Sequence, residues 1–106
     1  MPKYLVKCNY VGEGIKGLLK EGGSSRRAAV EQVIKSMGGK LETLYYAFGE
    51  TDVYIIADAP DNASVAAACL LVASSGMVNL KTTVLMTPEE LDIAAKKTPL
   101  YRPPGK

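Results

Sequence analysis

The stretch Val53-Tyr54-Ile55-Ile56-Ala57 is apolar at odd and even positions alike. It is too short for a typical helix and rich in β-branched and aromatic side chains, so it reads as a strand. A strand with one wet face alternates, so this one is predicted to be buried on both faces. Ahead of it, Gly49-Glu50-Thr51-Asp52 reads as a turn that sends the chain back antiparallel. A chain of 106 residues is expected to form one domain with few helices. Helices that cover one face of a sheet leave the other face for something else to cover.

The other segments fall into place around this strand. Lys3 to Tyr10 predicts a first strand, with Tyr4, Val6, Cys8 and Tyr10 on one face and Lys3, Leu5, Lys7 and Asn9 on the other. A short helical turn follows at Ile15, Leu18 and Leu19 and stops at Glu21-Gly22-Gly23. Ser24-Ser25 offers an N-cap for a longer helix with the stripe Ala29, Val30, Val33, Ile34 and Met37, ended by Gly38-Gly39. Lys40 to Phe48 reads as the second strand, with Leu41, Thr43, Tyr45 and Ala47 opposite Glu42, Leu44, Tyr46 and Phe48. Pro60-Asp61-Asn62 opens a helix over Ala63 to Ala73 that is apolar almost all round, which predicts burial on more than one side.

Val78 to Met86 is the fourth strand. Thr87-Pro88-Glu89-Glu90 then combines an N-cap, a proline at the first helical position and a capping-box glutamate, and starts a short helix to about Lys97. Residues 98–106, with three prolines and a glycine, read as a Pro-rich tail behind a single domain of residues 1–97. The order βαββαβ plus a terminal helix predicts an α+β, ferredoxin-like fold. Its four-stranded antiparallel sheet has the order 4-1-3-2, with both long helices on one face. The third strand is then central and bare on its far side. A second copy packed sheet against sheet covers it, because a bare apolar sheet face exceeds the patches that monomers carry.

Composition excludes several classes. Thirteen basic and eleven acidic residues give a net charge of +2, too balanced for a nucleic-acid or anionic-membrane partner. Cys8 and Cys69 are far apart with no CxxC, which argues against a disulfide framework or zinc ribbon, and no metal site is expected. The N-terminus has no long apolar segment, so a cytoplasmic protein is expected. The chain has no histidine, so the usual general base near neutral pH and the commonest metal ligand are both missing.

Several blocks together resemble the GYD-domain proteins, small bacterial and archaeal proteins. They are Pro2-Lys3-Tyr4-Leu5-Val6, Gly17 to Arg27, Gly38-Gly39-Lys40-Leu41-Glu42, Tyr46-Ala47-Phe48-Gly49, Pro60-Asp61-Asn62-Ala63, Lys81-Thr82-Thr83-Val84-Leu85 and Thr87-Pro88-Glu89-Glu90. The likeness runs from Met1 to about Ala95. In Gly49-Glu50-Thr51-Asp52, Thr51 stands where such proteins usually carry tyrosine. The resemblance implies a ferredoxin-like domain of the dimeric α/β-barrel type, homodimeric or larger, with no settled activity; no cofactor is expected, and the missing histidine counts against haem ligation. That broader group includes cofactor-free monooxygenases, haem-degrading enzymes and small isomerases, and fold analogy does not choose among them.

Three sets of candidate site residues remain. With Val53, Ile55 and Ala57 toward the helices, Asp52, Tyr54 and Ile56 face the barrel interior, joined by Lys7, Asn9 and Lys81. A central-strand lysine under a partner sheet needs a partner group, so Lys7, Tyr54 and Asp52 are the catalytic candidates. Tyr46 and Phe48 are candidates to line an apolar ligand pocket with Asn9 and Lys81. Ser24, Ser25, Arg26 and Arg27 form a helix start suited to an anion or to acidic groups of a neighbouring subunit. Two functional readings follow. One is a homo-oligomeric binding or assembly module with room for a small ligand between the sheets. The other is a cofactor-free, monooxygenase- or isomerase-like enzyme acting on a small aromatic or quinone-like molecule.

Overall fold

The computed structural model describes residues 1–106. In chain order it holds β1 (Lys3–Tyr10), α1 (Glu13–Glu21), α2 (Gly23–Ser36), β2 (Lys40–Tyr46), β3 (Val53–Asp58), α3 (Asn62–Ser74), β4 (Val78–Leu85) and α4 (Pro88–Lys96). The strands form one antiparallel sheet in the order β2-β3-β1-β4. This is the expected ferredoxin-like α+β arrangement, with α1 as a separate short helix and α4 at the C-terminal side.

The core follows the parity of the central strands. Tyr4 and Cys8 of β1 are buried, as are Val53, Ile55 and Ala57 of β3. The register sets Tyr4 beside Ala57, Val6 beside Ile55 and Cys8 beside Val53. Val30 and Ile34 of α2 pack onto this layer, and Val65 of α3 covers Tyr4 and Ala59. Tyr54 and Ile56 point the other way, where no element of the chain covers them. The two-sided burial expected of β3 is therefore met on the helix side only.

β2 differs from its expected pattern. It ends at Tyr46, and its pairing with β3 shifts register between Leu41 and Thr43. A bulge of this kind inserts one extra residue and reverses the parity beyond it. Leu41 and Leu44 consequently face the same core, Tyr46 turns toward the helices, and Thr43 and Tyr45 face the open side.

α2 begins two residues earlier than a Ser24 cap predicts. Its N-cap is Gly22, at φ 85° and ψ 163°, and no side chain caps it. That glycine alone joins α1 to α2 in a backbone region that favours glycine. Ser24 and Ser25 therefore lie in the first turn. α3 starts where Pro60-Asp61-Asn62 predicts, and the Asp61 carboxylate caps it by accepting from the Ser64 amide at 2.8 Å. It packs on β4. The predicted burial on more than one side is not met, because Leu70 and Leu71 are each 72% exposed. At α4 the Thr87 hydroxyl accepts from the Glu90 amide while the Glu90 carboxylate accepts from the Thr87 amide, each at 3.1 Å.

Candidate functional site

The sheet presents two faces with different chemistry. On the open face the registers line up one row across all four strands: Tyr45, Tyr54, Lys7, Lys81. The neighbouring row is Thr43, Ile56, Leu5, Thr83. Strand pairing alone thus brings Lys7, Tyr54 and Lys81 together, and Asn9 sits beside Asn79 one step further along. Two lysines directly opposite each other repel, a cost of about 0.2–1 kcal/mol unless an anion or carboxylate lies between them. At the far end Lys3 Nζ donates to Asp58 Oδ1 at 2.9 Å and to Glu42 Oε1 at 3.0 Å. That pairing raises the lysine pKa, first through Asp58 and then through Glu42.

Asp52 is held by the backbone. Its carboxylate accepts from the Tyr10 amide at 3.0 Å. Its own amide donates to Asn9 Oδ1 at 2.8 Å and to the Cys8 carbonyl at 3.1 Å. The carboxylate that the sequence offers as a general base thus ties the end of β1 to the start of β3. Thr51, next to it, is buried, and the Ala47 amide closes the turn on the Asp52 carbonyl at 2.9 Å. Phe48, at the tip, is fully exposed and meets no pocket.

The helix face holds a groove that the sequence analysis missed. α2 packs mainly on β2 and α3 on β4, and between them lies a cavity of about 290 Å³. Its floor is the β1 set Tyr4, Val6, Cys8 and Tyr10 with Val53 and Ile55. Its walls are Val30, Val33 and Ile34 on one side and Ala68, Cys69 and Val72 on the other. Of 23 lining residues 21 are hydrophobic, so any occupant is chiefly apolar. The signals were present in the alternation of β1 and the stripe of α2, but the same pattern describes an ordinary packed core.

One end of the groove is polar. Arg26 lines it, together with Tyr10 and Tyr46. Tyr46 donates from its hydroxyl to the Gly23 carbonyl at 2.9 Å. Burial, then the neighbouring Tyr10 phenol, push the Tyr46 pKa up, and Arg26 pulls it the other way. The Arg26 guanidinium reaches Glu21 only at 3.5 Å, and its Nε is out of solvent with no partner. Arg26 also lines a second, more polar cleft against α1, which includes Glu21 and Ser75. Of the helix-start residues singled out above, Arg26 turns into the fold, whereas Ser24, Ser25 and Arg27 are exposed. Tyr46 and Phe48 do not share a pocket, because the bulge puts Tyr46 on the helix side. No group of three cysteine or carboxylate side chains is placed to hold a metal ion, and no helix is long and apolar enough to cross a membrane.

The family model described as GYD domain matches residues 4–95. No curated protein matches the chain. A solved structure of a protein of unknown function from Nitrosomonas europaea is similar at 14% sequence identity and a TM-score of 0.44, covering 94% of this chain and 96% of that one.

Proposed function

For a chain that belongs to the GYD-domain family and carries one bare sheet face, we propose a homo-oligomeric binding and assembly module that pairs through that face. The observation that carries this reading is the thin core: ten of 106 residues are buried, while Ile56, Tyr54, Tyr45 and Leu5 lie on a sheet surface that no helix covers. A second copy laid on this face completes the burial of β3 and forms the barrel of the dimeric type. The protein works in the cytoplasm, where Cys8 and Cys69 stay reduced.

Light scattering at micromolar concentration tests the reading. A mass of at least two chains is expected. Ile56→Glu, which sets a carboxylate in the middle of the face, is expected to give a folded monomer with an unchanged far-ultraviolet circular dichroism spectrum. A wild-type monomer at that concentration overturns the proposal.

The row Tyr54–Lys7–Lys81 favours a second reading, a cofactor-free enzyme whose site forms when the second copy covers the row. Two ammonium groups and a phenol, desolvated together, suit an enolate or phenolate intermediate of a small aromatic or quinone-like substrate. Asp52 drops out of that set because its carboxylate accepts the Tyr10 amide.

A further inference from the structure

We infer that the groove between α2 and α3 is a binding site for an aliphatic carboxylate, with the acyl chain along β1 and the head group on Arg26. The site lies on the side of the sheet away from the proposed self-association surface, so it stands or falls separately.

Three observations converge on this occupant. First, the groove is apolar along its length. Its floor runs from Tyr4 to Tyr10, a span of about 20 Å at strand rise, which suits an extended chain rather than a compact ring. Second, its charge lies at one end. Arg26 stands where the apolar groove meets the more polar cleft against α1, and both spaces are lined by Tyr10, Arg26, Val72 and Val78. Third, that charge is poorly matched within the chain. The Glu21 contact is long and partly exposed, and Nε is out of solvent without an acceptor. A guanidinium presents a planar fork that matches a carboxylate in two parallel hydrogen bonds. The Tyr10 phenol borders the same corner and adds a donor for the head group, whereas the Tyr46 hydroxyl is already committed to the Gly23 carbonyl.

Other acidic groups do not compete strongly for Arg26. Asp58 borders the groove toward its far end, in the Tyr4–Ala59 region, and is paired with Lys3. A neutral alcohol of the same length would fill the groove but leave the guanidinium unmatched. A short carboxylate would do the reverse. Both parts of the ligand are therefore required.

The test is calorimetric titration of the purified protein with dodecanoate below its micelle-forming concentration, with dodecanol and acetate as probes of tail and head alone. Saturable binding of dodecanoate near one per chain is expected, with acetate undetectable. Arg26→Gln is expected to weaken dodecanoate at least tenfold and leave dodecanol unchanged, while Arg26→Lys restores part of the loss. Ala29→Phe, which fills the groove from α2, should weaken both long-chain probes. Cys69 lines the groove, so dodecanoate should also slow its alkylation. The proposal is overturned if dodecanoate does not bind saturably, as when a second copy or residues 98–106 fill the groove. It is equally overturned if Arg26→Gln weakens dodecanol as much as dodecanoate, or if binding leaves Cys69 alkylation unchanged.

Discussion

Gly14 and Gly17 are three residues apart on α1 and have opposite surroundings. A Cβ at Gly14 would run into the Met77 carbonyl, whose carbon lies 3.0 Å away, and that carbonyl also accepts the Val11 amide at 2.9 Å. At Gly17 nothing lies within 4 Å. Gly14→Ala is therefore expected to lift α1 off the start of β4 and cost about 1–3 kcal/mol. Gly17→Ala should gain about 0.5–1 kcal/mol, because alanine loses less backbone entropy in a helix interior. Urea unfolding of the two variants reads the opposite signs. Both glycines fall in the same helical segment, and the sequence alone does not distinguish them. Only the approach of Met77 does.

At the scale of elements, α3 shows what a cap contributes to an apolar helix that packs on β4 along one side. The Ser64 amide, donating to Asp61, holds that carboxyl below its ordinary pKa of 3.8. The folded pKa is depressed, so the contribution is present above that value and is lost as pH falls through and below it. Asp61→Asn keeps an acceptor at the cap but cannot titrate. The stability difference between wild type and Asp61→Asn, measured by urea unfolding across pH, is expected to change only as pH falls through and below that range. A difference that varies between pH 6 and 8 would contradict the assignment. The capping box of α4 was readable because it rests on residues close together in the chain. The start of α2 differs because Gly22 takes the N-cap position in the tight joint to α1, and no side chain caps it.

For the whole molecule, the radius of gyration is 16.9 Å against about 13 Å for a compact domain of this length. The outline is elongated, 56 × 33 × 24 Å, and α4 and residues 98–106 are exposed throughout. Inside, burial and then the neighbouring Cys69 push the Cys8 thiol up to about 11 from 9.0. The folded state disfavours the thiolate, so stability is expected to fall as pH rises from 9.0 toward 11. Alkylation should separate the two thiols. Cys69 is expected to react faster in the native protein than Cys8, which lies nearly buried on the groove floor with its thiol pushed up to about 11, a difference measurable by mass spectrometry after timed quenching. Equal labelling rates of the two thiols at pH 8 would contradict the burial of Cys8.

The sequence by itself determined the order of elements, the central place of β3, the start of α3 and the capping box of α4. Each depends on residues close together along the chain, where periodicity and capping act. The helix-facing parity of β1 and β3 was decided by the tertiary structure. Tertiary structure alone decided the bulge between Leu41 and Thr43, because an extra strand residue shows only against its partner's register. It also decided the engagement of Asp52 and the alignment of Lys7 with Lys81, both of which depend on strands distant in sequence. The groove belongs with these. An apolar stripe says that a side chain leaves water, but the spacing of α2 and α3 decides whether it meets another side chain or an open space beside Arg26.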